Sequence, residues 1–294
     1  MTRFVSDIDR YANLRQIPWW DVEKLRASTV MVVGAGALGN EVLKNLAMVG
    51  VGRLIVIDHD RVEASNLTRS ILFRRRDCGR AKAAVAAESL RDIDPDLLVE
   101  PLIADVTTEV GWGWFRDCDL VVGCLDNREA RLWVNRVCWQ ATRPWIDGAI
   151  QELNGVVKIF QPPQSACYEC GMTDMDYQLL SLRQGCGSIP AADPGLRTIP
   201  TTPTIASIIG GLQAQEALKV LHGHPINAGS AMVFNGDANR FYCTNYALRP
   251  DCPSHETITA EPLPLDHTAT AKELFSHYRS HRAATSPADS LPAS

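Results

Sequence analysis

The chain has 294 residues, 46% hydrophobic and 21% charged, enough for one large α/β domain with an elaboration or two small domains, and enough to bury a full core. Lys and Arg number 29 against 34 Asp and Glu, a net charge of −5 that excludes DNA, other nucleic acid or an acidic membrane as the expected partner and points to a discrete phosphate pocket. No run approaches the roughly 20 apolar residues of a membrane span and residues 1–11 lack an apolar signal core, so a soluble, cytoplasmic protein is expected. Its nine cysteines are expected as reduced thiols, metal ligands or a reactive thiol rather than a disulfide framework.

Residues 1–29 read as an N-terminal helical segment. From residue 30 the pattern is strand, glycine turn, helix, with Leu38, Val42, Leu43 and Leu46 at helical spacing and Gly50 and Gly52 ending the helix. Strands are predicted over 54–58, 97–103 and 120–125, and helices over 79–93 and 127–141. This alternation predicts an α/β fold, a Rossmann-like doubly wound and mostly parallel sheet, with an ATP-binding domain over 30–165. Beyond residue 145 the strand-like runs 155–160, 231–235 and 241–246 and a helix over 204–222 predict a smaller, antiparallel second half over 166–258. The Gly-, Pro-, Asp- and Ser-bearing stretch 171–203 reads as an irregular crossover lid. Residues 259–294 form a Pro-, Ala- and Ser-rich polar tail with one short helix over 269–282 and a disordered last dozen residues.

In the glycine turn, Gly34 permits the bend, Gly36 lets backbone approach a phosphate and Gly39 lets the helix pack close to its strand, so that the N–H groups opening the helix face an anion. Asp58, about 20 residues on, stands where a ribose diol would be bound. These features alone suit a nicotinamide or flavin site equally well. Asn66, Arg69 and Lys82 add polar and cationic groups that a dehydrogenase does not need, whereas cleavage of a triphosphate needs cations at its phosphates. Asp126, directly after an apolar strand, falls at the carboxyl edge of the sheet, where a carboxylate suits Mg²⁺ shared with phosphate oxygens. The competing reading of Arg69 and Lys82 is a solvated helix face, since Arg74, Arg75, Arg76 and Arg80 lie nearby.

The ordered set Asp58-His-Asp60-Arg-Val-Glu-Ala-Ser-Asn66-Leu-Thr-Arg69, then Lys82, then Cys124-Leu-Asp126-Asn127 followed by Arg131, resembles the adenylation domain of the ubiquitin-activating enzyme superfamily, which includes the bacterial ThiF- and MoeB-type adenylyltransferases. The resemblance spans about residues 10–255. It implies that Asp58 holds the ribose, that Asn66, Arg69 and Lys82 hold phosphates, and that Asp126 holds magnesium, with Asp60 and Asn127 inside the same motifs. Arg15 resembles the N-terminal arginine that reaches the γ-phosphate bound by a partner subunit, which implies a homodimer. Ser70 stands where a glutamine is usual and Ala37 where a glycine is common.

Cys167-Tyr-Glu-Cys170 and Cys252-Pro-Ser-His255 make a pair of knuckles whose spacing suits a structural zinc, with Cys243 as a competing ligand and ordinary core cysteines as the alternative. The superfamily commonly has four cysteines there, and His255 departs from that. Cys186 lies beside Arg183 in the proposed lid, a setting that favours an exposed, partly ionised thiol. By resemblance it stands in the segment that carries the thioester cysteine, ahead of Pro200-Thr201-Thr202; an incidental loop cysteine is the other reading. Cys78, Cys118, Cys124 and Cys138 are expected to be packing residues, and Trp19, Trp20, Trp112 and Trp114 core or interface aromatics. Glu273, His277 and His281 would share a face of the tail helix, read as solvated.

Taken together, the resemblance implies ATP-dependent adenylation of the C-terminal carboxylate of a ubiquitin-like or sulfur-carrier β-grasp protein. It also implies thioester formation on Cys186 and transfer to a conjugating enzyme, with catalysis by Arg15, Arg69, Lys82 and Asp126. The alternatives are a sulfur-carrier adenylyltransferase that stops at the adenylate and, from another class, an NAD-binding oxidoreductase or binding protein.

Overall fold

A computed structural model of the chain describes residues 9–184 and 200–255. Its elements in order are α1 (Val22–Arg26), β1 (Thr29–Val33), α2 (Ala37–Val49), β2 (Arg53–Ile57), α3 (Lys82–Ile93), β3 (Leu98–Leu102), α4 (Trp112–Arg116), β4 (Leu120–Gly123), α5 (Arg128–Gln140), β5 (Trp145–Gln151), β6 (Asn154–Phe160), α6 (Asp174–Gln184), α7 (Pro203–His222), β7 (Ser230–Asn235) and β8 (Arg240–Asn245). The strands form one eight-stranded sheet in the order β3-β2-β1-β4-β5-β6-β7-β8. Strands β1 to β5 run parallel, and β6, β7 and β8 continue the same sheet antiparallel. The α/β, doubly wound, mostly parallel architecture read from the sequence is the one found.

Side-chain alternation explains why the central strands are apolar throughout. Val30, Val32, Leu54, Val56 and Leu120 meet α2, α3 and α7 on one face, while Met31, Val33, Ile55, Ile57 and Val121 meet α4 and α5 on the other, so these strands are buried on both sides. Helix α7 starts at an N-cap in which the Thr202 side chain accepts from the Ile205 N–H, has proline in its first turn, and ends at Gly223 with φ of 76°. It packs along α2, where a Cβ on Gly210 would lie 2.6 Å from the Glu41 Cβ. Among the described residues no helix is long and apolar enough to cross a membrane.

The structure corrects several details. The helix expected over 79–93 begins at Lys82, because Gly79 adopts φ of +88° and bonds back to the Val62 carbonyl in a turn. Strand β5 was not expected as such: Asp147 and Gly148 interrupt its apolar pattern, and its pairing with both β4 and β6 supplies the stability that local pattern lacks. The stretch 171–203 is not irregular from the start, since α6 occupies Asp174–Gln184. Cys118 and Cys138 are buried, but Cys78 is exposed and does not pack. Trp19 is 43% exposed. Cys186 and the tail over 259–294, including its expected helix, lie outside the described residues.

Candidate adenylation site

Sheet order puts the loops after β2, β1 and β4 side by side at the carboxyl ends of parallel strands, with β1 at the point where the winding reverses, the place where such sheets bind ligands. Gly34 leaves β1 with φ of +99°, and a Cβ there would lie 2.4 Å from the Cys124 carbonyl oxygen on the neighbouring loop. Gly39 is constrained more tightly: its Cβ would fall 1.9 Å from the Gly34 oxygen. Gly36 is the N-cap of α2, with open space where a Cβ would be. The free N–H groups of the first turn of α2 therefore border that space, an arrangement suited to a phosphate.

The loop is held in place by two side chains. Asp58 accepts from the Ala35 N–H at 2.7 Å with one oxygen and from the Asp60 N–H at 2.8 Å with the other, and being half-buried it retains lone pairs for a sugar hydroxyl. Asn40, fully buried on α2, donates to the Ala35 and Gly36 carbonyls at 2.7 and 2.9 Å and accepts from the Leu72 N–H at 2.8 Å. Sequence reading missed Asn40; its signal is a polar residue on the apolar stripe that carries Leu43, Ala47 and Leu46.

Lys82, the first residue of α3, pairs with Asp60 at 2.7 Å with only 11% of its side chain exposed. Asn66 and Arg69 lie in the turn between β2 and α3. The Asn66 side chain accepts from the Glu63 N–H at 3.1 Å, and Arg69 donates to the Ser65 carbonyl at 2.9 Å. Among the described residues no acid pairs with Arg69. On the β4 side Asp126 is exposed and accepts from the Asn127 amide at 3.2 Å, while the Asn127 oxygen caps α5 by accepting from the Ala130 N–H at 2.8 Å. Arg131 crosses behind Asp126: it donates to the Leu125 and Gly148 carbonyls and pairs with Asp147 at 3.0 Å, tying the β4 loop to β5. Gln213 of α7 does the same from the other face, donating to the Gly123 carbonyl at 2.9 Å. Neither Asp147 nor Gln213 was singled out from sequence, because only the fold brings β5 and α7 to this edge.

Arg15 makes its ion pairs with Asp9 at 3.0 Å and Glu23 at 3.4 Å rather than with any of these groups. The Cys167, Cys170, Cys252 and His255 ligand atoms lie within 4.8 Å of one another, and Cys243 on β8 is not part of that cluster. The Cys167 sulfur is 3.8 Å from that of Cys170 and 3.6 Å from that of Cys252, and the Cys170 sulfur is 3.4 Å from His255 Nε2. A tetrahedral ion with metal–sulfur bonds of about 2.3 Å and metal–nitrogen bonds of about 2.0 Å requires sulfur pairs about 3.8 Å apart and a sulfur–nitrogen pair about 3.5 Å apart, so the donors fit one ion. Trp139 stacks on the His255 ring at 3.8 Å and holds its orientation.

Residues 8–254 match the ThiF family. The chain belongs to that family. Among its relatives, the sulfur carrier protein adenylyltransferase of Thermus thermophilus is 34% identical over 84% of this chain and 90% of its own length. The ThiS adenylyltransferase of Escherichia coli is 29% identical over 87% of this chain and 98% of its own. Ubiquitin-like modifier-activating enzyme 5 of Gallus gallus is 27% identical over 85% of this chain and 65% of its own. Among solved structures, E. coli MccB with MccA-N7isoASN superposes with a TM-score of 0.69 at 22% identity, covering 85% of this chain and 75% of that one, a likeness of fold. This ThiF-family chain is an enzyme of the adenylyltransferase and activating-enzyme class.

Proposed function

We propose that the chain uses ATP to adenylate the C-terminal carboxylate of a small ubiquitin-like or sulfur-carrier protein. The observation that carries this reading is the convergence of the Gly34–Gly36 loop, Asp58 and Asp126 on the carboxyl ends of three adjacent strands, with Lys82 paired to Asp60 beside them and Arg69 on the turn between β2 and α3. The substrate carboxylate is ionised at neutral pH and needs no general base. Its oxygen attacks the α-phosphorus, the bond from that phosphorus to the β-phosphate oxygen breaks, and pyrophosphate leaves with the electron pair. Gly36 and the opening turn of α2 face the phosphates, Asp58 holds the ribose, and Asn66, Arg69 and Lys82 stabilise the departing charge, with Asp60 orienting Lys82. Magnesium held by Asp126 beside Asn127 would supply further positive charge at the phosphate oxygens. Arg15 acts on the nucleotide of a second protomer in a homodimer.

In a second step the Cys186 thiolate attacks the acyl carbon, AMP leaves, and the resulting thioester passes to a conjugating enzyme or thiol acceptor. The name of the Thermus relative favours a second reading, in which the reaction stops at the adenylate and sulfur transfer follows elsewhere. The knuckle ligands Cys167, Cys170, Cys252 and His255 suit zinc, closed to substrate and joining distant segments. The test is carrier-dependent exchange of labelled pyrophosphate into ATP. Exchange lost in Lys82→Ala and Asp126→Asn but retained in Cys186→Ala is expected, with Cys186→Ala also losing a reductant-sensitive conjugate. Nicotinamide-dependent turnover with no exchange would overturn the reading.

A further inference from the structure

Residues 58–81, between β2 and α3, form a long connection whose helical turns are the 3₁₀ segments Ala64–Thr68 and Arg75–Asp77. Arg69 closes the first of these, and its guanidinium donates to the Ser65 carbonyl of the same turn, so the cation goes where the turn goes. Just beyond it, Leu72 and Phe73 are buried in the core cluster to which α2 and α3 contribute. Apolar burial keeps that segment inside but is non-directional, so it does not set the orientation of the backbone.

Hydrogen bonds set it. Buried backbone groups need partners, and both polar groups of Leu72 find theirs on side chains. Its N–H donates to the Asn40 Oδ1 at 2.8 Å, and its carbonyl accepts from the Ser89 hydroxyl at 2.6 Å. The same Asn40 amide donates to the Ala35 and Gly36 carbonyls, and its orientation is fixed because Leu72 offers a donor where the loop offers acceptors. Ser89 stands on α3, about two turns after Lys82. Leu72 is therefore where three elements bearing anion-binding groups meet: the glycine loop through Asn40, the Arg69 turn through the chain, and the Lys82 helix through Ser89. Without the Ser89 hydroxyl the Leu72 carbonyl regains a partner only by turning away, and that rotation is passed along the chain to Arg69.

We propose that Ser89 is a positioning residue for phosphate binding: with Asn40 it fixes the Leu72 backbone, and so holds Arg69 at the separation from the glycine loop that a polyphosphate spans. Ser89 acts through Arg69 and touches no ligand itself. A cation fixed before its ligand arrives loses less freedom on binding, so the effect is read in affinity for the phosphates. That the polyphosphate belongs to ATP rests on the adenylation reading.

The test compares ATP with adenosine, which lacks the phosphates, titrated calorimetrically into the full chain. Ser89→Ala is expected to weaken ATP binding about threefold to tenfold and to leave adenosine binding unchanged, while Ser89→Thr, which keeps the hydroxyl, binds ATP as wild type does. Arg69→Ala should weaken ATP binding about tenfold or more, and adding Ser89→Ala to it should weaken binding no further. A purely structural role would lower affinity for both ligands or add in full to Arg69→Ala. Either result, unchanged ATP binding in Ser89→Ala, or an equal loss in Ser89→Thr would overturn the proposal, and wild type binding ATP no more tightly than adenosine would overturn it together with the adenylation reading. The expected coupling of Ser89 to Arg69 in a protein with no carrier-dependent pyrophosphate exchange would overturn adenylation and leave the positioning role standing. Exchange with fully additive Ser89 and Arg69 effects would do the reverse.

Discussion

Glu169, between the two cysteines of the first knuckle, is completely buried, and four hydrogen bonds from three side chains converge on it. Arg136 of α5 donates to both of its oxygens, Tyr177 of α6 to one at 2.9 Å, and Ser254, between Cys252 and His255, to the other. Glu169→Gln keeps the shape but removes the charge and turns an NH₂ group toward donors. Breaking one side of a fully buried ion pair costs about 3–5 kcal/mol; because the Arg136 side chain is 25% exposed, water recovers part of this, and the expected loss is about 2–4 kcal/mol. For a chain of this size that lowers the thermal midpoint by on the order of 5–10 °C. The assay is urea and thermal unfolding at fixed excess zinc, so that ligand binding contributes equally to both proteins. Burial alone would raise the Glu169 carboxyl, but Arg136, Ser254 and Tyr177 outweigh it and hold it below the ordinary glutamate value. A depressed carboxyl stabilises the fold above the unfolded value of about 4.3, and that contribution disappears as pH falls through the lower folded value. The gap between wild type and Glu169→Gln should therefore be full at pH 7 and close in acid. A loss under about 0.5 kcal/mol at pH 7, the range of an ordinary surface substitution, would refute the argument that this buried charge ties the knuckle to α5 and α6.

Asn40→Ala should destabilise by about 2–4 kcal/mol, since it strands the buried Leu72 N–H as well as removing two donated bonds, and urea unfolding checks this. Gly39→Ala should abolish nucleotide binding in a fluorescence titration, because its Cβ would sit 1.9 Å from the Gly34 oxygen and only a shifted loop can relieve that contact. Retained affinity would mean that the loop does not shape the nucleotide site. Chelation, or Cys252→Ser, should remove zinc measured by atomic absorption and lower the thermal midpoint, whereas Cys243→Ser should leave zinc content unchanged.

What sequence alone determined follows from local chemistry. A central strand buried on both faces must be continuously apolar, a tight turn into a helix needs glycine where a Cβ would collide, and knuckle spacing brings paired ligands onto one ion; Val30–Val33, Gly34, Gly39 and Cys167 with Cys170 were legible for these reasons. The ordered charged residues after β2 and β4 carried the family for the same reason, since each motif sits on a single loop. Tertiary structure decided whatever depends on partners distant in sequence. It made a strand of residues 145–151 through pairing with β4 and β6, brought the Cys252 and His255 knuckle that spacing had favoured onto Cys167 and Cys170 from 85 residues away, and buried Glu169 against Arg136. It also set Lys158 opposite Asp147 across the β5–β6 pair. Periodicity reports which face a residue takes within its own element, whereas the energy of a cross-strand charge or a shared metal depends on what the neighbouring element presents, and only the folded chain brings those groups together.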